Sequence, residues 1–94
     1  PRQDLLKGRV SLPYRLYHIT TCTLYRRPVF SDFSSARIVI NEIKAIQHSQ
    51  LANTYAWVLM PDHLHWLLEL SSNNTLSQLV KKFKAHSSKQ INRY

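Results

Sequence analysis

Met60-Pro61-Asp62-His63-Leu64-His65-Trp66 stands between two apolar runs and places two imidazoles in an otherwise apolar strand. Side chains of a strand alternate between faces, so His63, His65, Leu67 and Glu69 share one face and Leu64, Trp66, Leu68 and Leu70 the other. The second set reads as a core face and the first as a working face. At about 3.3 Å per residue the two histidines stand roughly 6.6 Å apart at their Cα atoms, near enough to converge on one divalent cation. The plainer alternative is a half-solvated strand whose wet face happens to carry histidines.

The surrounding composition bounds what such a strand can belong to. Ninety-four residues with 44% hydrophobic and 11% aromatic content suffice for one small core. One glycine, Gly8, and four prolines leave little material for flexible linkers, and no internal repeat is visible. Lysine and arginine outnumber aspartate and glutamate 13 to 5, for a net charge of +8, which suits a polyanionic partner. A single cysteine, Cys22, cannot close an intrachain disulfide, and a packing role as a small buried hydrophobe is expected of it. No apolar run reaches the roughly 18 residues of a membrane span, and no signal-peptide pattern opens the chain, so a cytoplasmic protein without a membrane partner is expected. The first residue is Pro1, which points to a chain trimmed at its front.

Residues 1–15 mix Arg2, Lys7 and Arg9 with leucines and read as a basic N-terminal arm preceding a folded domain over 16–94. Leu16 to Thr23 alternates well enough for a first strand, with Leu16, His18, Thr20 and Cys22 on one side. Leu24 to Phe30 forms a basic, aromatic loop in which Arg26 and Arg27 are candidate nucleic-acid contacts. Ser31 is the expected cap of a first helix whose apolar stripe is Phe33, Ala36, Val39, Ile40, Ile43 and Ile46, ending near His48. A second strand is expected over Tyr55 to Met60. Pro61-Asp62 then reverses the chain, and because proline cannot enter the mirror-image turns of two-residue hairpins, a wider turn is expected.

Thr75-Leu76-Ser77-Gln78 has capping-box spacing and opens a second helix with the stripe Leu76, Leu79, Val80 and Phe83, continued by Ile91. Lys81, Lys82, Lys84, Lys89 and Arg93 crowd its other surface with no acidic residue after Glu69. An ordinary solvated face mixes both signs, so these five are candidate DNA contacts. The order strand, helix, strand, strand, helix is an α+β, ferredoxin-like split βαβ arrangement: an antiparallel sheet with helices packed on it, lacking the closing C-terminal strand. The helices are expected on the Leu64 and Trp66 face.

The segments Tyr17-His-Ile-Thr, Trp57-Val-Leu-Met-Pro-Asp-His-Leu-His-Trp-Leu-Leu and Leu79-Val-Lys-Lys-Phe-Lys-Ala-His-Ser-Ser-Lys-Gln-Ile-Asn together resemble the single-tyrosine HUH transposases of the insertion sequence 200/605 class, most closely the REP-associated tyrosine transposases. The resemblance runs from about Tyr17 to Asn92. It implies cleavage and rejoining of single-stranded DNA, often beside a hairpin, in DNA transposition. It implies further that His63 and His65 hold a divalent metal, Mg²⁺ or Mn²⁺, while a tyrosine attacks the scissile phosphate to form a 5′-phosphotyrosine. In that family the nucleophilic tyrosine and a third metal ligand lie on a further helix, past the segment matching Ser88 to Asn92. The catalytic tyrosine is therefore unknown from this chain, Tyr94 being the weak candidate, and the chain alone is expected to bind DNA better than it cuts it. The family is commonly dimeric, which implies a homodimer.

Two other readings remain open from the residues. One is a non-catalytic module that binds single-stranded nucleic acid, with incidental histidines. The other is a metal-dependent nuclease that uses water, which would leave free 5′-phosphate ends and no covalent adduct.

Overall fold

The computed structural model describes residues 15–72 and 74–91. Most of the expected basic arm, together with Arg93 and Tyr94, lies outside those residues. The element order is β1 (Leu16–Cys22), two short 3-10 turns (Leu24–Arg26 and Val29–Ser31), α1 (Phe33–His48), β2 (Ala52–Met60), β3 (His63–Leu70) and α2 (Leu76–Ile91). The expected order and class are observed. The strands form one antiparallel sheet in the order β1-β3-β2, so the histidine strand is central.

Alternation in β3 builds the core as expected. Leu64, Trp66, Leu68 and Leu70 are fully buried and face both helices, with the Trp66 ring 5.0 Å from that of Phe83 in α2. Val39, Ile43 and Ile46 of α1 and Leu76, Leu79 and Phe83 of α2 complete this layer. The Trp66 indole donates to Thr54 Oγ1 at 3.0 Å, which satisfies the one polar atom that the ring brings inside. Across the outer helix surfaces His86 Nδ1 lies 3.2 Å from Glu42 Oε2.

Caps set the helix limits. Thr75 and Gln78 exchange the two bonds of a capping box, Gln78 N–H to Thr75 Oγ1 at 3.1 Å and Thr75 N–H to Gln78 Oε1 at 3.0 Å. At the start of α1 the cap is Asp32 and not Ser31: its carboxylate accepts from the Ser35 N–H at 3.0 Å, while Ser31 closes the preceding 3-10 turn. A carboxylate also complements the positive helix end, which a serine hydroxyl does less well. Phe33, at the first position of α1, is exposed, contrary to the expected stripe. The other end closes as a Schellman motif, Gln50 N–H to Gln47 O at 2.9 Å and Leu51 N–H to Ile46 O at 3.2 Å, with Gln50 left-handed at φ 63°.

Two further expectations change. β2 begins at Ala52, earlier than Tyr55, because the Thr54 N–H is bound by Gln47 Oε1 at 2.8 Å and the ladder to β3 continues through a β-bulge at Tyr55. The β2–β3 turn is two residues long, with Met60 paired to His63, and neither Pro61 nor Asp62 takes a positive φ. Bonds from the β1–α1 segment hold it: Thr23 N–H donates to Asp62 O at 3.0 Å and Phe30 N–H to Pro61 O at 2.9 Å. Tertiary bonds here outweigh the usual twist preference of the turn.

Candidate metal centre

The face of the sheet opposite the helices carries the expected histidines. Antiparallel register sets Thr20 opposite His65 and Cys22 opposite His63, so alternation brings His18, Thr20 and Cys22 of β1 to the same face. Cys22 is exposed there, which corrects its expected packing role; its strand position, odd or even, decides this and not its hydrophobicity. The His63 and His65 rings meet edge to face, centroids 4.8 Å apart, and His18 stacks on His65 at 5.3 Å. His65 Nδ1 lies 3.2 Å from both His18 Nε2 and Thr20 Oγ1.

His63 is anchored from the turn. Its Nδ1 lies 2.7 Å from Asp62 Oδ1, and the other oxygen of the same carboxylate accepts from Arg26 Nε at 3.0 Å. The hydrogen bond from His63, and next the one from Arg26, hold the Asp62 carboxyl below its ordinary value of 3.8. Reciprocally, the bond to Asp62 raises the Arg26 guanidinium. Both arginines expected to contact DNA are exposed, and the Arg26 side chain is bound to Asp62.

These donors suit a divalent cation in kind. With Nδ1 of His63 donating to a carboxylate, Nε2 carries the lone pair, and a carboxylate behind the ring in this way fixes the orientation and tautomer of metal-ligating histidines. His65 presents Nε2 in the same way when its Nδ1 donates to Thr20 Oγ1 or His18 Nε2, both of which can accept. Among the described residues no group of three His, Cys, Asp or Glu side chains is disposed to hold a metal ion.

The basic residues divide between two places. Arg26 and Arg27 lie in the segment clasping the β2–β3 turn, beside His63. Lys81, Lys82 and Lys89 are exposed and Lys84 part-buried on α2, which packs on the opposite face of the sheet, so the structure does not bring them to the histidines. His18, Thr20 and Asp62 are site neighbours that the sequence reading did not single out. The signal for the first two was present, since alternation alone puts them on one face of β1; the missing information was which strand β1 pairs with.

A family model described as "Transposase IS200 like" matches residues 13–94. The chain belongs to the IS200-like transposase family. Solved structures agree on the fold of this IS200-like chain. A candidate transposase of Deinococcus radiodurans R1 aligns with a TM-score of 0.71 at 26% identity, over 89% of this chain and 64% of that one. A REP-associated tyrosine transposase bound to a REP hairpin aligns with a TM-score of 0.73 at 15% identity, over 89% of this chain and 51% of that one. The IS200-like chain therefore spans between about half and two thirds of the length of these two structures. No curated protein sequence matches it significantly. Among the described residues no helix is long and apolar enough to cross a membrane.

Proposed function

We propose that this chain supplies the cation-holding part of a site that cleaves and rejoins single-stranded DNA in transposition, with His63 and His65 as metal ligands. The observation carrying this reading is the 2.7 Å contact of His63 Nδ1 with Asp62 Oδ1, which leaves Nε2 of His63 as the donor on the face shared with His65. Family membership supplies the transposition role, and the REP hairpin bound by one structural relative supports a DNA hairpin as partner.

In this reading the chain's own groups prepare the site. Arg26 orients Asp62, Asp62 accepts the Nδ1 proton of His63, and Thr20 with His18 does the same for His65. A Mg²⁺ or Mn²⁺ ion bound there supplies Lewis-acid stabilisation of charge on the scissile phosphate. The nucleophilic tyrosine is not assigned to any described residue: Tyr17 is part-buried against the core, the Tyr55 hydroxyl donates to Glu69 Oε1 at 3.2 Å, and the exposed Tyr25 stands between β1 and α1 and not on a helix following α2. Lys81, Lys82, Lys84 and Lys89 on α2 make a second phosphate-contacting surface, separate from Arg27 beside the histidines, while Arg93 lies outside the described residues.

Calorimetric titration with Mn²⁺ tests the ligand assignment. Replacing His63 and His65 together by alanine is expected to weaken binding at least about tenfold with the fold retained; unchanged binding would turn the reading toward a non-catalytic nucleic-acid module. Replacing Lys81, Lys82 and Lys84 by alanine is expected to lower the slope of log affinity against log salt by about two units, at about 0.7 per single-strand phosphate contact. An unchanged slope would place the phosphate surface elsewhere.

A further inference from the structure

Tyr25 stands out among the exposed aromatics. The residue is 80% exposed, and its backbone is left-handed at φ 58°, followed by Arg26 at φ 56°. Left-handed backbone costs a residue with a Cβ roughly 1–2 kcal/mol, so two such residues in succession persist only where surrounding contacts impose them. Those contacts are present. Arg26 is bound to Asp62, the Thr23 hydroxyl donates to Arg27 O at 2.7 Å, and the Thr23 and Phe30 N–H groups, on either side of Tyr25, bind the carbonyls of Asp62 and Pro61.

The strain yields no burial of the ring. It turns the ring outward, with the Arg27 guanidinium 5.8 Å from its centroid and the rest of the ring open to solvent. The segment carrying it is fastened to the same turn that orients His63. A flat aromatic backed by the Arg27 guanidinium, on a chain of net charge +8, is complementary to a nucleobase attached to phosphate. In a duplex the base faces are already covered by their neighbours, so the ring selects unpaired bases. Phe33 with Arg37 at 5.7 Å is a similar pair, but it stands on the first turn of α1, whereas the bonds to the β2–β3 turn flank Tyr25.

We propose that Tyr25, backed by Arg27, is a stacking platform for an unpaired base of the DNA strand that reaches His63 and His65. The inference rests on the reading of the chain as a single-strand DNA-binding protein. It adds the means by which single strand is told from duplex.

The test is fluorescence anisotropy with a labelled oligothymidylate and with a duplex of equal length, alongside thermal melts. Tyr25→Gly removes the ring and suits the left-handed backbone, so its melting temperature is expected to hold or rise. Its single-strand affinity is expected to fall about 5- to 100-fold while duplex affinity is unchanged. Tyr25→Phe is expected to bind within about twofold of the parent, since stacking needs no hydroxyl. Tyr25→Asn, which also tolerates this backbone, repeats the measurement should the glycine variant melt early. Single-strand affinity that survives loss of the ring overturns the platform and leaves DNA binding intact. Equal losses for single strand and duplex also overturn it. A parent protein that does not bind the oligonucleotide removes the DNA reading itself, and the platform with it.

Discussion

Leu64, Trp66, Leu68 and Leu70 are at most 1% exposed, whereas His63, His65, Leu67 and Glu69, alternating with them along the same strand, are only part-buried. Both sets stand on the central strand, with neighbours hydrogen-bonded on either side, so the backbone does not account for the difference. What differs is the cover. Two helices close over the leucine and tryptophan set, while the histidine set faces outward beside exposed side chains of the flanking strands, Leu16, Val58 and Met60. Stability is concentrated on one face. On the other, polar groups are tied to one another through the short chain from Arg26 to Asp62 to His63 and the contacts of His65 with Thr20 and His18. Period-two alternation lets one strand serve both purposes without either set of side chains constraining the other.

Substitutions on the two faces should separate accordingly. Trp66→Ala empties the largest buried side chain and is expected to cost about 3–5 kcal/mol, much of the stability of a domain this small, visible as a collapsed thermal transition. A variant that melts near the parent would show that the helices can close over the gap. Thr54→Val leaves the Trp66 N–H without its partner, and about 1 kcal/mol is expected in urea unfolding, since Thr54 is only part-buried and water can take its place. The double alanine variant at His63 and His65, whose metal response is the test of function, is expected to change metal-free stability by less than about 1 kcal/mol. A loss as large as that of Trp66→Ala would mean that the histidine face is structural.

The smallest effect concerns acid. Asp62 is held below 3.8 in the folded protein by its bonds with His63 and Arg26, so its contribution to stability is present above that value and fades as pH falls through the lower folded one. Asp62→Asn should flatten this acid limb, compared by urea midpoints of the metal-free protein near neutrality and below pH 3.8. The carboxylate is partly exposed, so the change is modest, and an identical acid limb in the variant would assign the dependence to other groups.

The contrast between the two faces was legible in the sequence because it is local. Alternation from His63 to Leu70, the Thr75 and Gln78 box and the stripe Val39, Ile43, Ile46 each lie within one element, and each is observed. What was illegible depends on pairing across the chain. His18 joins His65 only once the register of β1 on β3 is known. Arg26 becomes Asp62's partner only once the β1–α1 segment folds over the turn, and the tightness of that turn follows from the same contact. Asp32 and Ser31 were competing caps one residue apart, and the choice between them depends on which side chain reaches the Ser35 N–H.

The bulge at Tyr55 resets the phase of β2. Thr54 and Trp57, three positions apart, both lie opposite core-facing residues of β3, Leu68 and Trp66, which an unbroken strand of period two forbids. One residue is in effect a spacer between two correctly phased half-strands. An evolving chain can therefore lose a residue at Tyr55 and keep the inward side chains of both halves in place, whereas a deletion elsewhere in β2 inverts everything upstream of it. The edge strand thus carries its own expansion joint, positioned away from the hairpin that presents the histidines.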